Sequence, residues 1–283
     1  MGATSPAVRI GPPGGLAASP GLRWSAAGLV AASWVSAASF GLYILAFYLG
    51  AIPAGHMELW NQNLPGLYAK GDTVSWLAMA AHLATGAVIL LLGPVQLIGA
   101  IRCRWPRVHR YLGRVYVFTS GVAGLGGLGF IVSKGTIGGS VMNAGFGLYG
   151  ALMVWAAVAT YRYARARRFD EHCAWALRLF ALAIGSWLYR MDYGFWLIAA
   201  HRIGHTSNFH GPFDMVMCFF FYLPNLALVE LFLRSRGKAL RPALRLSTGV
   251  LLNAATAFVA VGTYYFLRYY WGASILHGLL GMG

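Results

Sequence analysis

SWLAMAAHLATGAVILLLGPVQLIGAI, residues 75–101, runs straight into RCRWPRVHR, residues 102–110. The first string holds one His and no Asp, Glu, Lys or Arg. About 20 apolar residues in an α-helix span the hydrocarbon of a bilayer. A buried strand is far shorter, and no apolar–polar alternation is present. The second string carries Arg102, Arg104, Arg107 and Arg110, the pattern of a segment lying at a membrane surface. Together they predict a membrane helix ending in a basic connection.

The same pairing recurs along the chain. Apolar runs over residues 26–50, 75–101, 111–132, 141–163, 174–199, 212–233 and 249–268 predict about seven transmembrane helices. The fold class expected is an all-α integral membrane bundle over residues 25–270, with a flexible tail at 1–24 and a short tail at 271–283. Residues 11–15, Gly-Pro-Pro-Gly-Gly, mark the first tail. Composition agrees: 10% of residues are charged and 58% hydrophobic. Soluble domains carry roughly 25% charged residues, enough to cover a surface that this chain must give to lipid.

The cations set the orientation. Arg102 to Arg114, then Arg162, Arg165, Arg167 and Arg168, then Arg234, Arg236, Lys238, Arg241 and Arg245 crowd alternate connections. The intervening ones hold only Lys70, Lys134 and Arg202. Basic connections stay in the cytoplasm, so the N-terminus is expected inside and the C-terminus outside, in a bacterial inner membrane. A net charge of +15 in a soluble chain suggests nucleic acid, but cations confined to connections point to lipid as the partner, and no nucleic acid. Cys103, Cys173 and Cys218 form no CxxC pair, so neither a disulfide framework nor a covalent c-type haem is expected. No GxSxG, HExxH or P-loop occurs, which leaves catalysis without a candidate residue.

Charged residues inside the bilayer cost at least about 2.5 kcal/mol each, and polar residues there are expected to face the bundle. His82, Gln96, Arg190, Asp192 and Glu230 form that set, with His82 and Arg190 at similar depth toward the outer side. On the cytoplasmic side, His109 opens the third helix, with Gly113 and Tyr116 on its face; Gly113 leaves space beside it. His172 opens the fifth helix at the same depth, where Arg114, Arg178 and Glu230 also lie. Two histidines at one depth on separate helices are what axial ligation of a b-type haem requires, with arginines for its propionates. Glycines at 121, 124, 126, 127, 129, 145, 147 and 150 admit a flat ring or, equally, close helix packing. His201, His205 and His210, with His56 and His277, suggest a metal only if their segment is helical, which Gly204 and Gly211 oppose, so no metal site is assigned.

Four blocks in order, His82-x-x-x-Gly86 with Gly93-Pro94-x-Gln96, His109-Arg110-x-x-Gly113-Arg114-x-Tyr116, His172-x-x-Trp175-x-x-Arg178 and Leu223-Pro224-Asn225-Leu226 before Glu230, resemble an uncharacterised family of bacterial membrane proteins, domain-of-unknown-function family 2306. The resemblance covers about residues 75–234; Ala176 stands where the family pattern has Met. It implies an integral membrane protein with these residues as its signature. A weaker analogy runs to di-haem b-type cytochromes, from which the chain departs because its fourth helix lacks a histidine to pair with His82. Three functions stay open: haem-linked electron transfer with a quinone or redox-protein partner, a proton-linked carrier along His82, Arg190 and Asp192, or an assembly subunit without cofactor.

Overall fold

The computed structural model describes residues 19–62, 68–71, 73–235 and 242–280. Most of the expected N-terminal tail, Asn63, Pro65, Gly66, Arg236, Lys238 and Arg241 lie outside the described residues.

Seven long helices make the bundle: α1 (Pro20–Ala54), α2 (Thr73–Leu97), α3 (Pro106–Lys134), α4 (Gly139–Arg165), α5 (Phe169–Ala199), α6 (Pro212–Arg234) and α7 (Pro242–Gly278). All of them except α5 contain a stretch long and apolar enough to cross a membrane. With 31 residues α5 has the length, but Arg178, Arg190 and Asp192 break its apolar run. It tolerates them because α2, α4, α6 and α7 all pack on it. Buried side chains such as Leu179, Leu182 and Trp187 line it on several faces, so α5 is the core of the bundle.

Both ends of the chain are more helical than expected. Pro20, whose fixed φ suits a first helical turn, starts α1 well before residue 26. At the other terminus a wide π-turn at Leu267–Trp271 lets the helix continue, so residues 271–280 are helical instead of forming a tail. A matching π-turn at Ile44–Leu49 interrupts α1. The two wide turns meet: Trp271 packs on Phe40 and Tyr43, with ring centroids 5.1 and 6.3 Å apart.

Helices α2, α3, α4 and α5 form a closed ring, each packed on the next and α5 back on α2, which sets α3 diagonally across from α5. Paired α1 and α7 flank it. Helix α6 breaks at Phe221–Tyr222 because Pro224 has no N–H to give; the Asn225 side chain instead donates to the Phe221 carbonyl at 2.8 Å. The connections rich in arginine share one end with the start of α1, where Leu22 packs with Phe232 and Leu252. At the far end lie the 3₁₀ turn Met57–Gln62 and the loop at 200–211.

The glycines serve packing. A Cβ on Gly124 would lie 3.1 Å from the Gly150 carbonyl, and one on Gly145 only 2.6 Å from that of Cys218. Gly126, Gly127, Gly129 and Gly147 have nothing within 4 Å. Close helix approach accounts for those that have neighbours.

Candidate functional site

The ring α2–α5 carries polar groups at two levels. At the arginine-rich end, His172 Nδ1 lies 3.0 Å from the Thr160 carbonyl on α4. A carbonyl only accepts, so Nδ1 holds the proton and Nε2 keeps the lone pair. His109, on the diagonal helix α3, lies within electrostatic reach of His172 and of Arg102. Its own Nδ1 is buried with no hydrogen-bond partner.

Gln96 Nε2 is buried and unpaired as well, and further along the same seam Tyr116 Oη and Ser120 Oγ have no partner beyond each other. They belong together. A Cβ on Gly113 would meet Gln96 Oε1 at 3.0 Å, and one on Gly93 would meet Tyr116 Oη at 3.3 Å. Hence the space beside His109 that Gly113 leaves is not empty; Gln96 reaches across from α2 into it. Buried polar atoms are nearly always partnered in folded proteins, so the orphans of Gln96 and His109, on facing helices beside Gly113, mark a place where something else can bind.

Below them Arg178 Nε bonds Glu230 Oε1 at 2.5 Å and its guanidinium lies 4.7 Å from the Trp175 ring. Arg178 is therefore committed to a carboxylate, and Arg114 is exposed. Arg102, not singled out in the sequence, is the cation nearest to His109 in effect.

Toward the far end, Arg190 and His82 lie within electrostatic reach of each other, as their equal depth implied. Arg190 Nη1 donates to the Ser186 carbonyl at 2.8 Å, and its guanidinium sits 5.9 Å from the Phe40 ring. Tyr48, Tyr149 and Tyr189 lie within electrostatic reach of it. Asp192, two residues on, points elsewhere along the helix and makes no ion pair with Arg190. So the five intramembrane residues do not form one cluster: His82 joins Arg190, Gln96 joins His109, Glu230 joins Arg178, and Asp192 stands apart.

The far-end histidines have structural partners. His201 and Arg202 have φ of 47° and 67°, so their segment is a turn and the four-residue spacing gives no shared helix face. His205 Nδ1 lies 2.7 Å from Asp214 Oδ1. Among the described residues no three His, Cys, Asp or Glu side chains are grouped to hold a metal ion.

Sequence reasoning missed Thr160, Ser120, Tyr149 and Ser186. Ser120 was within reach, since it follows Tyr116 by one helical turn. The Thr160 and Ser186 contacts are made by backbone carbonyls, which leave no side-chain signal.

A multi-helix membrane bundle whose buried polar groups gather between α2, α3, α4 and α5 is the class that fold and site define. Residues 79–233, more than half of the chain, match the family described as Predicted membrane protein (DUF2306), and the chain belongs to that family. No curated protein and no solved structure matches it.

Proposed function

We propose that the arginine-rich end holds a b-type haem between His109 and His172, and that the protein passes electrons within a bacterial inner membrane, with its basic connections in the cytoplasm. One observation carries this reading: the Thr160 carbonyl fixes His172 so that in the neutral ring Nε2 keeps a lone pair, within electrostatic reach of His109, whose Nδ1 is unpaired, on the diagonal helix. Metal-ligating histidines are commonly held in this way through their other nitrogen.

The surroundings fit with one adjustment. Gln96 fills the space beside His109, with its amide nitrogen making no hydrogen bond, and a haem there requires it to move. Swung aside, it and Tyr116 offer donors at the rim of the site. Arg102 and Arg114, at the membrane surface, are the cations left for propionates, because Arg178 is taken by Glu230. Bound there, haem supplies one-electron chemistry, and a quinone or another redox protein is the partner in keeping with a membrane setting.

A reduced-minus-oxidised visible spectrum of the purified protein, expressed with ample haem, tests this. A sharp α band that disappears in His109→Ala and in His172→Ala is the expected result. A flat spectrum from the unaltered protein retires the reading and leaves the orphaned atoms to another ligand.

A further inference from the structure

Arg190 combines three properties that are hard to reconcile in a purely structural residue. It lies among α1, α2 and α4, since Phe40 and Tyr48 come from α1, His82 from α2 and Tyr149 from α4. It nevertheless remains exposed, as do Ser186 one turn before it and His82 across from it, while Trp187, Leu188 and Met191 between and beside them are buried. Exposed side chains with other helices close by border an open cleft among α1, α2, α4 and α5. Third, no carboxylate among the described residues pairs with the guanidinium.

We propose that this space, bordered by Arg190, His82, Ser186, Phe40, Tyr48 and Tyr189, binds a small planar carboxylate anion. The chemistry selects the class. A guanidinium has five N–H donors in a flat fork, and here one nitrogen bonds the Ser186 carbonyl. The remaining edge matches the two oxygens of a carboxylate, a geometry that neither chloride nor an ammonium can use. Phe40 covers one side of the guanidinium and phenols supply both ring surface and O–H donors, which favours a ligand with an apolar or aromatic body. One permanent positive charge balances a monoanion and leaves a phosphate dianion uncompensated. Tyr48 enters this wall from the π-turn Ile44–Leu49, and its carbonyl accepts from Trp60 Nε1 at 2.8 Å, so the wide turn is held in place by a buried side chain. Interruptions of this kind inside helices occur frequently at functional sites. The site is separate from the histidine pair, and its occupation does not depend on a haem.

Calorimetric titration of sodium benzoate into the full chain, in nanodiscs of phosphatidylcholine alone, decides the matter, with sodium acetate, sodium phosphate and sodium chloride as comparators. Saturable benzoate binding is expected, tighter than that of acetate. It should weaken at least tenfold in Arg190→Gln and measurably in His82→Gln. Arg190→Lys keeps the charge without the fork and should fall between wild type and Arg190→Gln, which preserves a readout if Arg190→Gln does not fold. Absence of benzoate binding in the unaltered protein overturns the proposal. Binding that is the same in every variant does so too, because it then reports partition into lipid, and phosphate binding as tightly as benzoate overturns the monoanion class.

Discussion

Asp214 and Arg190 carry opposite charges toward the same end of the bundle, and Tyr189 lies within electrostatic reach of both. Their surroundings differ completely. Asp214 is fully buried and accepts from Tyr193 Oη at 2.8 Å, His205 Nδ1 at 2.7 Å, and the backbone N–H of Thr206 and Gly211, each at 3.0 Å. It ties the loop at 200–211 to the start of α6. Arg190 makes one hydrogen bond, to a carbonyl of its own helix. A buried charge is retained when partners repay its desolvation. Asp214 is repaid within the protein. Arg190 is instead exposed and has no carboxylate partner among the described residues, and buried polar atoms of Gln96 and His109 at the other end of the ring are unpaired. Satisfaction of hydrogen bonds thus separates polar residues that build this bundle from those left for a ligand.

Stability measurements break or sharpen that division. Asp214→Ala leaves the buried Tyr193 hydroxyl, His205 Nδ1 and the backbone N–H of Thr206 and Gly211 without their acceptor, so it should cost about 2–4 kcal/mol in SDS-driven unfolding from mixed micelles. Arg190→Gln removes a charge with no counter-ion and should change stability by less than about 1 kcal/mol. Equal losses in the two variants would show that Arg190 is structural after all.

The next largest effect belongs to the helix contacts. Gly145→Ala puts a methyl 2.6 Å from the Cys218 carbonyl, where only backbone can give way, and should cost about 1–3 kcal/mol by the same assay. Gly127→Ala meets nothing within 4 Å and should leave unfolding unchanged. A similar loss at both sites would mean that Gly127 faces a partner chain.

Arg178 and Glu230 are an intermediate case, paired within the protein yet 22% and 39% exposed. Solvent screening at that exposure reduces the pair well below a buried one, to about 1 kcal/mol of coupling in a double-mutant cycle of Arg178→Gln and Glu230→Gln. Coupling near zero would place the pair in the headgroup region, with no part in closing the ring.

Much of this was legible in the residues. Apolar runs of membrane length gave the helices, because lipid leaves the backbone few other choices. Distance from the helix ends put Arg178 level with Glu230 and Arg190 level with His82; in the structure Arg178 bonds Glu230 and Arg190 lies within electrostatic reach of His82. Partner choice within a level was not legible. Gln96 enters the space at Gly113 from another helix, and nothing in either local sequence specifies the rotation of α2 against α3. No partner for His205 was legible, because Asp214 comes to it only through the turn at 200–211. Helix α5 fails the apolarity of a membrane span for the reason that makes it central: its neighbours shield what lipid would not accept.

The smallest effect is expected where α5 begins, outside its apolar part. Hydrogen bonding from Arg168 holds the Glu171 carboxyl below its usual range, and both side chains are largely open to solvent. A carboxyl lowered in the folded state adds stability that is present above its unfolded value and is lost as pH falls through the folded one. The loss therefore belongs to the acid side of the ordinary carboxylate range, and neutral pH should show none of it. Glu171→Gln should remove only that acid-side slope and leave the neutral-pH midpoint within error, because exposed ion pairs contribute little. A clear drop at neutral pH would mean that the first turn of α5 anchors His172, one residue further on, and that the division between building and binding residues fails at the helix that carries both.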